Sequence, residues 1–213
     1  MAEQAQVAPT PSGGGTIFTE AVLVVNQKAK LIEVNNEYAI FNQSGQQIGA
    51  VRQVGQSAAK KILRVVSNLD QFMTHSLQIV DGSGSVLLTI KRPAKLLKSK
   101  FEVTNGAGAV LGNIVQENAI GKIHFGLLVN GERVGSINAE NWRAWNFNIK
   151  DAQGNEVARI TKTWEGLAKT LFTTADNYVV QISPELTDPL RSLVVASALS
   201  VDTALKQDSR GFS

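Results

Sequence analysis

The sequence predicts a mainly β domain, a closed antiparallel barrel with a hydrophobic helix running through it. Three observations carry that reading. A hairpin unit recurs along the chain, each copy an apolar strand, an Asn or Asp turn holding a glycine, and a second apolar strand. The copies imply ten or more strands, too many for a flat open sheet, so closure is expected. Near the C-terminus a stretch breaks the strand pattern and is apolar on every face, as a helix threaded through a core would be.

The units are AIFNQSGQQIGAV (39–51), QIVDGSGSVLLTI (78–90), EVTNGAGAVLGNI (102–114), LLVNGERVGSI (127–137) and FNIKDAQGNEVARI (147–160). Their turn glycines, Gly45, Gly84, Gly108, Gly131 and Gly154, suit the positive φ that tight hairpins demand. Apolar residues alternate beside them, as at Val103, Val110 and Ile114, which fits half-buried strands. Gly106, Gly108 and Gly112 do not form a phosphate loop. They lie within a hairpin, and no Gly-Lys-Ser/Thr follows.

Two helices are expected. Ser57 to Val66 forms a short one with Ser57 as its cap. The second runs from about Asp188 to Lys206, with Asp188 as cap and Pro189 in the first helical position. Its apolar residues Leu190, Leu193, Val194, Val195, Leu199 and Val201 cover all sides, so it belongs inside the barrel. Residues 1–16 hold Pro9, Pro11 and a Gly13–Gly15 run and read as a disordered leader. Residues 17–207 then form a single domain and 208–213 a flexible tail. Glu3 and the missing apolar region argue against a signal peptide, so a cytoplasmic location is expected.

Composition removes several functions. The 213 residues include no cysteine, which excludes disulfides, thiolate zinc and palmitoylation. His75 and His124 are the only histidines and have no catalytic partners that the sequence can place, so no enzyme is expected. A net charge of +3 makes no case for nucleic acid. The longest apolar run, Leu193 to Val201, is far below the roughly 20 residues a spanning helix needs.

At TWEGLAKTLFTTADNYVVQISPELTD (163–188) the chain resembles the phospholipid scramblase family. The matching positions are Trp164, Gly166, Phe172, Thr173, Ala175, Asp176, Asn177, Tyr178, Gln181 and Pro184, followed by an apolar helix. KRPAKLLKSKFEV (91–103) sits where members carry a basic, often cysteine-rich stretch. The resemblance implies a tubby-like fold, related to plant LURP-one-like proteins: twelve strands around a central hydrophobic helix. It also implies membrane-lipid association and, nominally, transbilayer phospholipid movement. The chain departs from the family in lacking the palmitoylated cysteine cluster, in its short Pro-containing leader, and in Thr174 at an acidic position of the proposed calcium loop. The short leader and absent cysteines suggest a bacterial member.

Two sets of candidate site residues follow. Lys91, Arg92, Lys95, Lys98 and Lys100 lie within ten residues with no acid among them, and Leu96 and Leu97 stand between the lysines. An anionic phospholipid surface at the inner face of the plasma membrane is the partner they suit. The resemblance to tubby-like domains points the same way. The bland alternative is a solvated loop whose lysines protect strand edges. Asp176, Asn177, Glu185 and Asp188 offer hard oxygen ligands for calcium; alternatively they make a turn and a helix cap. Trp142 and Trp145 are three apart, so in a strand one would face the core and the other outward. Two functions remain: a scramblase-family protein at a membrane, or a soluble tubby-like lipid- or protein-binding scaffold without scrambling activity. Protein partners are not legible.

Overall fold

The computed structural model describes residues 16–26, 36–54, 75–93, 99–118, 123–141, 145–162 and 177–208. They form a closed barrel of twelve antiparallel strands around one C-terminal helix. In chain order the strands are β1 (Val22–Asn26), β2 (Asn36–Asn42), β3 (Gln47–Val54), β4 (His75–Asp81), β5 (Val86–Arg92) and β6 (Lys100–Asn105). There follow β7 (Val110–Gln116), β8 (His124–Val129), β9 (Glu132–Asn141), β10 (Asn146–Asp151), β11 (Glu156–Thr161) and β12 (Asn177–Ile182). Each strand pairs with its sequence neighbours, and β12 pairs with β1, Val22 opposite Gln181 and Asn26 opposite Asn177. That seam closes the sheet.

All five predicted hairpins form, and all five turn glycines have positive φ, from 81° at Gly45 to 88° at Gly154. Four turns share one construction. Oδ1 of Asn42, Asp81, Asn105 or Asp151 accepts the N–H four residues on, at 2.9, 2.9, 2.9 and 2.8 Å. The backbone carbonyl of the same residue accepts the N–H of the turn glycine at 2.9–3.1 Å. The side chain thus satisfies backbone donors that the ladder leaves over. The fifth turn is Asn130-Gly131, with φ of 52° and 85°, the two-residue form whose twist matches the strands.

Helix α1 spans Leu190–Asp208. Every residue from Arg191 to Val201 is buried, none more than 6% exposed. The helix packs against β5, β6, β7, β9 and β12, so it occupies the middle of the barrel. Facing it are Ile114, Phe125, Leu127, Ile137, Ile149, Ile160 and Tyr178 of the inner wall, all in one apolar cluster. Gly112 leaves room for Leu193: a Cβ there would meet the Leu128 carbonyl and come within 3.1 Å of Leu193 Cδ1. The serines stay dry by turning inward, Ser197 Oγ donating to Leu193 O at 2.7 Å and Ser200 Oγ to Ala196 O at 3.0 Å.

As expected, Asp188 holds the helix start: its Oδ1 accepts Ser192 N at 3.0 Å and Ser192 Oγ at 2.7 Å. Arg191 ties the same end to the loop before β1. Its guanidinium donates to the carbonyls of Glu20 at 2.8 Å, Ser183 at 3.2 Å and Leu186 at 3.3 Å. Burial pushes its pKa down from the ordinary value, opposed by the nearby Asp188 carboxylate. A 3₁₀ turn at Thr16–Phe18 adds buried Ile17 and Phe18 to the core. The expected helix at Ser57–Val66 lies outside the described residues.

Candidate functional site

Antiparallel order gives the barrel two unlike ends. The five short turns gather at one, together with the residues between β12 and α1. At the other, strands end at Asn26, Val54, Arg92, Gln116, Asn141 and Thr161, and α1 runs toward them. The predicted basic segment belongs to this second end.

Lys91 and Lys100 are exposed there, at the end of β5 and the start of β6. In register Lys91 lies opposite Glu102. Lys95 and Lys98, with Leu96 and Leu97, lie outside the described residues. Arg92 requires a correction. It is 1% exposed, on the same side of β5 as Leu88 and Ile90, and so offers no charge to an outside surface. The reason is the pleat: adjacent strand residues point to opposite faces, so Lys91 and Arg92 cannot both face outward. At the end of β7, buried Gln116 accepts the backbone N–H of Ser99 through Oε1 at 3.1 Å.

The calcium set is not brought together, which is the second correction. Asn177 opens β12, whereas Glu185 and Asp188 follow its far end. Five steps of strand, roughly 16 Å at 3.3 Å each, separate them, and one ion needs all its ligands within about 2.6 Å. Asp188 also spends its Oδ1 on the helix cap. Glu185 is exposed, and Asp176 lies outside the described residues. Asn177 is 6% exposed, and its amide nitrogen and oxygen have no hydrogen-bond partner among the described residues. No group of three His, Asp or Glu side chains that could hold a metal occurs among the described residues.

Trp145 is not in a strand, contrary to expectation. It sits in the turn before β10 at φ 53°. Its ring stacks on Tyr178 at 5.7 Å and meets Phe147 edge-on at 6.1 Å, while Lys162 Nζ lies 4.9 Å from the ring centroid. Trp142 and Trp164 lie outside the described residues. His124 takes the strand position expected of it, its Nε2 2.8 Å from Glu117 Oε2, and Glu117 also pairs with Arg133.

Sequence reasoning missed the outer-wall network on β9, β10 and β11. Arg159 Nη1 meets Glu140 Oε2 at 2.7 Å and Asn146 Oδ1 at 2.7 Å, and its Nη2 meets Glu156 Oε2 at 2.6 Å. Asn148 Nδ2 donates to Glu140 Oε1 at 2.8 Å. The Arg159 and Asn148 hydrogen bonds hold the Glu140 carboxyl below its usual range. Only the strand register joins these residues, and one sequence does not carry it. The network ties three strands together and offers neither a nucleophile nor a free base.

A model of the scramblase family matches residues 1–205. The chain is similar to Altered inheritance rate of mitochondria protein 25 of Saccharomyces cerevisiae, 24% identical over 88% of this chain and 71% of the relative. It is similar to a phospholipid scramblase family protein of Schizosaccharomyces pombe, 22% identical over 82% of this chain; the match covers 49% of that relative's length. Among solved structures, an X-ray structure of a protein from Arabidopsis thaliana superposes with a TM-score of 0.51, covering 87% of this chain and 94% of that one. At 11% identity that likeness concerns the fold alone. Among the described residues no helix is long and apolar enough to cross a membrane.

Proposed function

This chain belongs to the scramblase family, and from that premise we propose that it works at the cytoplasmic face of a membrane, as a barrel that contacts anionic phospholipid and keeps its helix inside. One observation carries the reading: the unbroken burial of α1 from Arg191 to Val201. Leu193, Val194, Val195, Leu199 and Val201 each gain about 1.5–3 kcal/mol from burial, roughly 10 kcal/mol together. Moving α1 into a bilayer would return that gain to the helix. It would still leave the inner wall, Ile114 to Tyr178, without a filler. Lipid contact through the outside of the barrel needs no such rearrangement.

The basic residues supply the attraction. Lys91 and Lys100 are exposed at one end, and the sequence places Lys95 and Lys98 between them. Near an anionic leaflet each contributes roughly 1 kcal/mol. Transbilayer phospholipid movement is the second reading, favoured by the family match over residues 1–205.

Co-sedimentation with phosphatidylserine or phosphatidylcholine vesicles, beside a fluorescent-lipid exchange assay with and without calcium, decides between them. The expected result is sedimentation with phosphatidylserine alone, weakened by salt and by Lys95→Glu with Lys98→Glu, and no exchange. Calcium-stimulated exchange would establish the second reading instead. Neither signal would remove both lipid readings and point to a protein partner.

A further inference from the structure

We propose that the barrel meets an anionic lipid surface end-on, through the end opposite the five short turns, with those turns facing away. The proposal rests on the lipid-surface reading above and adds an orientation to it. It follows from how the described charges divide along the barrel axis.

At the turn end stand Glu20, Asp81, Glu132, Asp151, Glu185 and Asp188. Lys150 and Arg133 are the cations among them that reach solvent, since Arg191 is buried. The turns themselves, QSGQ, GSGS, GAGA, NG and AQGN, contain no lysine or arginine. Asp81 and Asp151 keep their charge well: hydrogen bonds from Ser83 and Asn155 respectively, with turn amides, hold both carboxyls below the ordinary range.

The opposite end carries Arg52, Lys91, Lys100 and Lys162, with Glu102 opposite Lys91 and with Glu117 and Glu140 beside the strand ends. Along the outer wall Arg133 pairs with Glu117, and Arg159 with Glu140 and Glu156, which leaves one acid in excess. The α1 dipole places roughly half a negative charge toward the basic end, less than any one of the cations there. Trp145 lies at that end with Lys162 Nζ 4.9 Å from its ring, a pairing of flat amphipathic ring and ammonium suited to the headgroup level. An anionic plane therefore repels the turn end far more than the end with Lys91 and Lys100, which orients the barrel before any specific contact forms.

The absence of cysteine makes the test clean. Single cysteines at Ser76 and Pro93, near the basic end, and at Ser83, Ala107 and Gln153, in the turns, would each carry an environment-sensitive dye. Dye quenching is read with phosphatidylserine vesicles containing spin-labelled lipid, and binding by sedimentation. Quenching at Ser76 and Pro93 with silent turn labels is the expected result. In addition, Lys91→Gln and Lys100→Gln should each weaken vesicle binding roughly fivefold, while Lys150→Gln should not weaken it. Bound protein with turn labels quenched equally or more would overturn the orientation and leave the lipid reading standing. No sedimentation of any labelled protein would overturn the lipid reading and the orientation with it.

Discussion

The inner and outer faces of the same twelve strands are built from different chemistry. Inward lie Ile114, Phe125, Leu127, Ile137 and Ile160, closed over a helix whose serines hide their hydroxyls. Outward, on β9 to β11, lie Glu140, Asn146, Asn148 and Arg159, bonded to one another, with Glu140 and Arg159 partly open to water. The inner face has no slack, because each side chain there touches others that cannot move far. The outer face can exchange one partner for another or for solvent. Stability should therefore be concentrated inside, while the outside remains free to be shaped by charge.

Four substitutions break or sharpen that contrast. Ala196→Asp, which places a carboxylate without partner in the middle of α1, should cost at least about 4 kcal/mol and leave little folded protein; circular dichroism and expression level report it. Leu193→Ala empties a side chain beside Gly112 and should cost about 2–5 kcal/mol in urea denaturation. Glycines then allow a matched pair. Gly112→Ala drives its methyl toward the Leu128 carbonyl and Leu193, and should cost about 1–3 kcal/mol. Gly126→Ala meets only the ends of the paired Glu117 and Arg133 side chains, Oε1 at 2.5 Å and Nη2 at 3.3 Å, which can swing aside, and should cost under about 0.5 kcal/mol.

A similarly small effect belongs to the outer network. Arg159→Met should cost under about 1 kcal/mol and less in high salt, since its partners are partly exposed. The sign of its pH dependence is fixed. Glu140 has a depressed pKa in the folded state, so its contribution is present above the unfolded glutamate value of about 4.3 and is lost as pH falls through the folded value. In Arg159→Met that acid-side loss should shrink. Thermal melts from neutral pH to pH about 3 measure it. An unchanged acid limb would mean that Glu140 is held by Asn148 and Asn146 without the arginine.

Much of the inner face was legible because its signals are local. A turn glycine announces itself through Asn or Asp three residues earlier, and all of Gly45, Gly84, Gly108 and Gly154 carry that mark. A helix apolar on every side announces its own burial. The candidate site was legible only in part. Lys91 and Lys100 are exposed as expected, but the burial of Arg92 required knowing that β5 continues through it. The scattered calcium ligands needed the ends of β12, and Trp145 needed a turn that no glycine marks. The outer network depends on bulges, such as the register shift between Asn146 and Phe147, that move partners by one residue.

The seam between β1 and β12 has a consequence for how the chain is made. Val22–Asn26 waits for Asn177–Ile182, and the helix that fills the space between them follows later still. On the ribosome, eleven strands with one oily face each emerge before either the closing strand or the filler exists. Contacts this distant in sequence form late and slowly. The protein should thus spend its nascent life as an open, sticky sheet, at the mercy of chaperones until its last helix arrives.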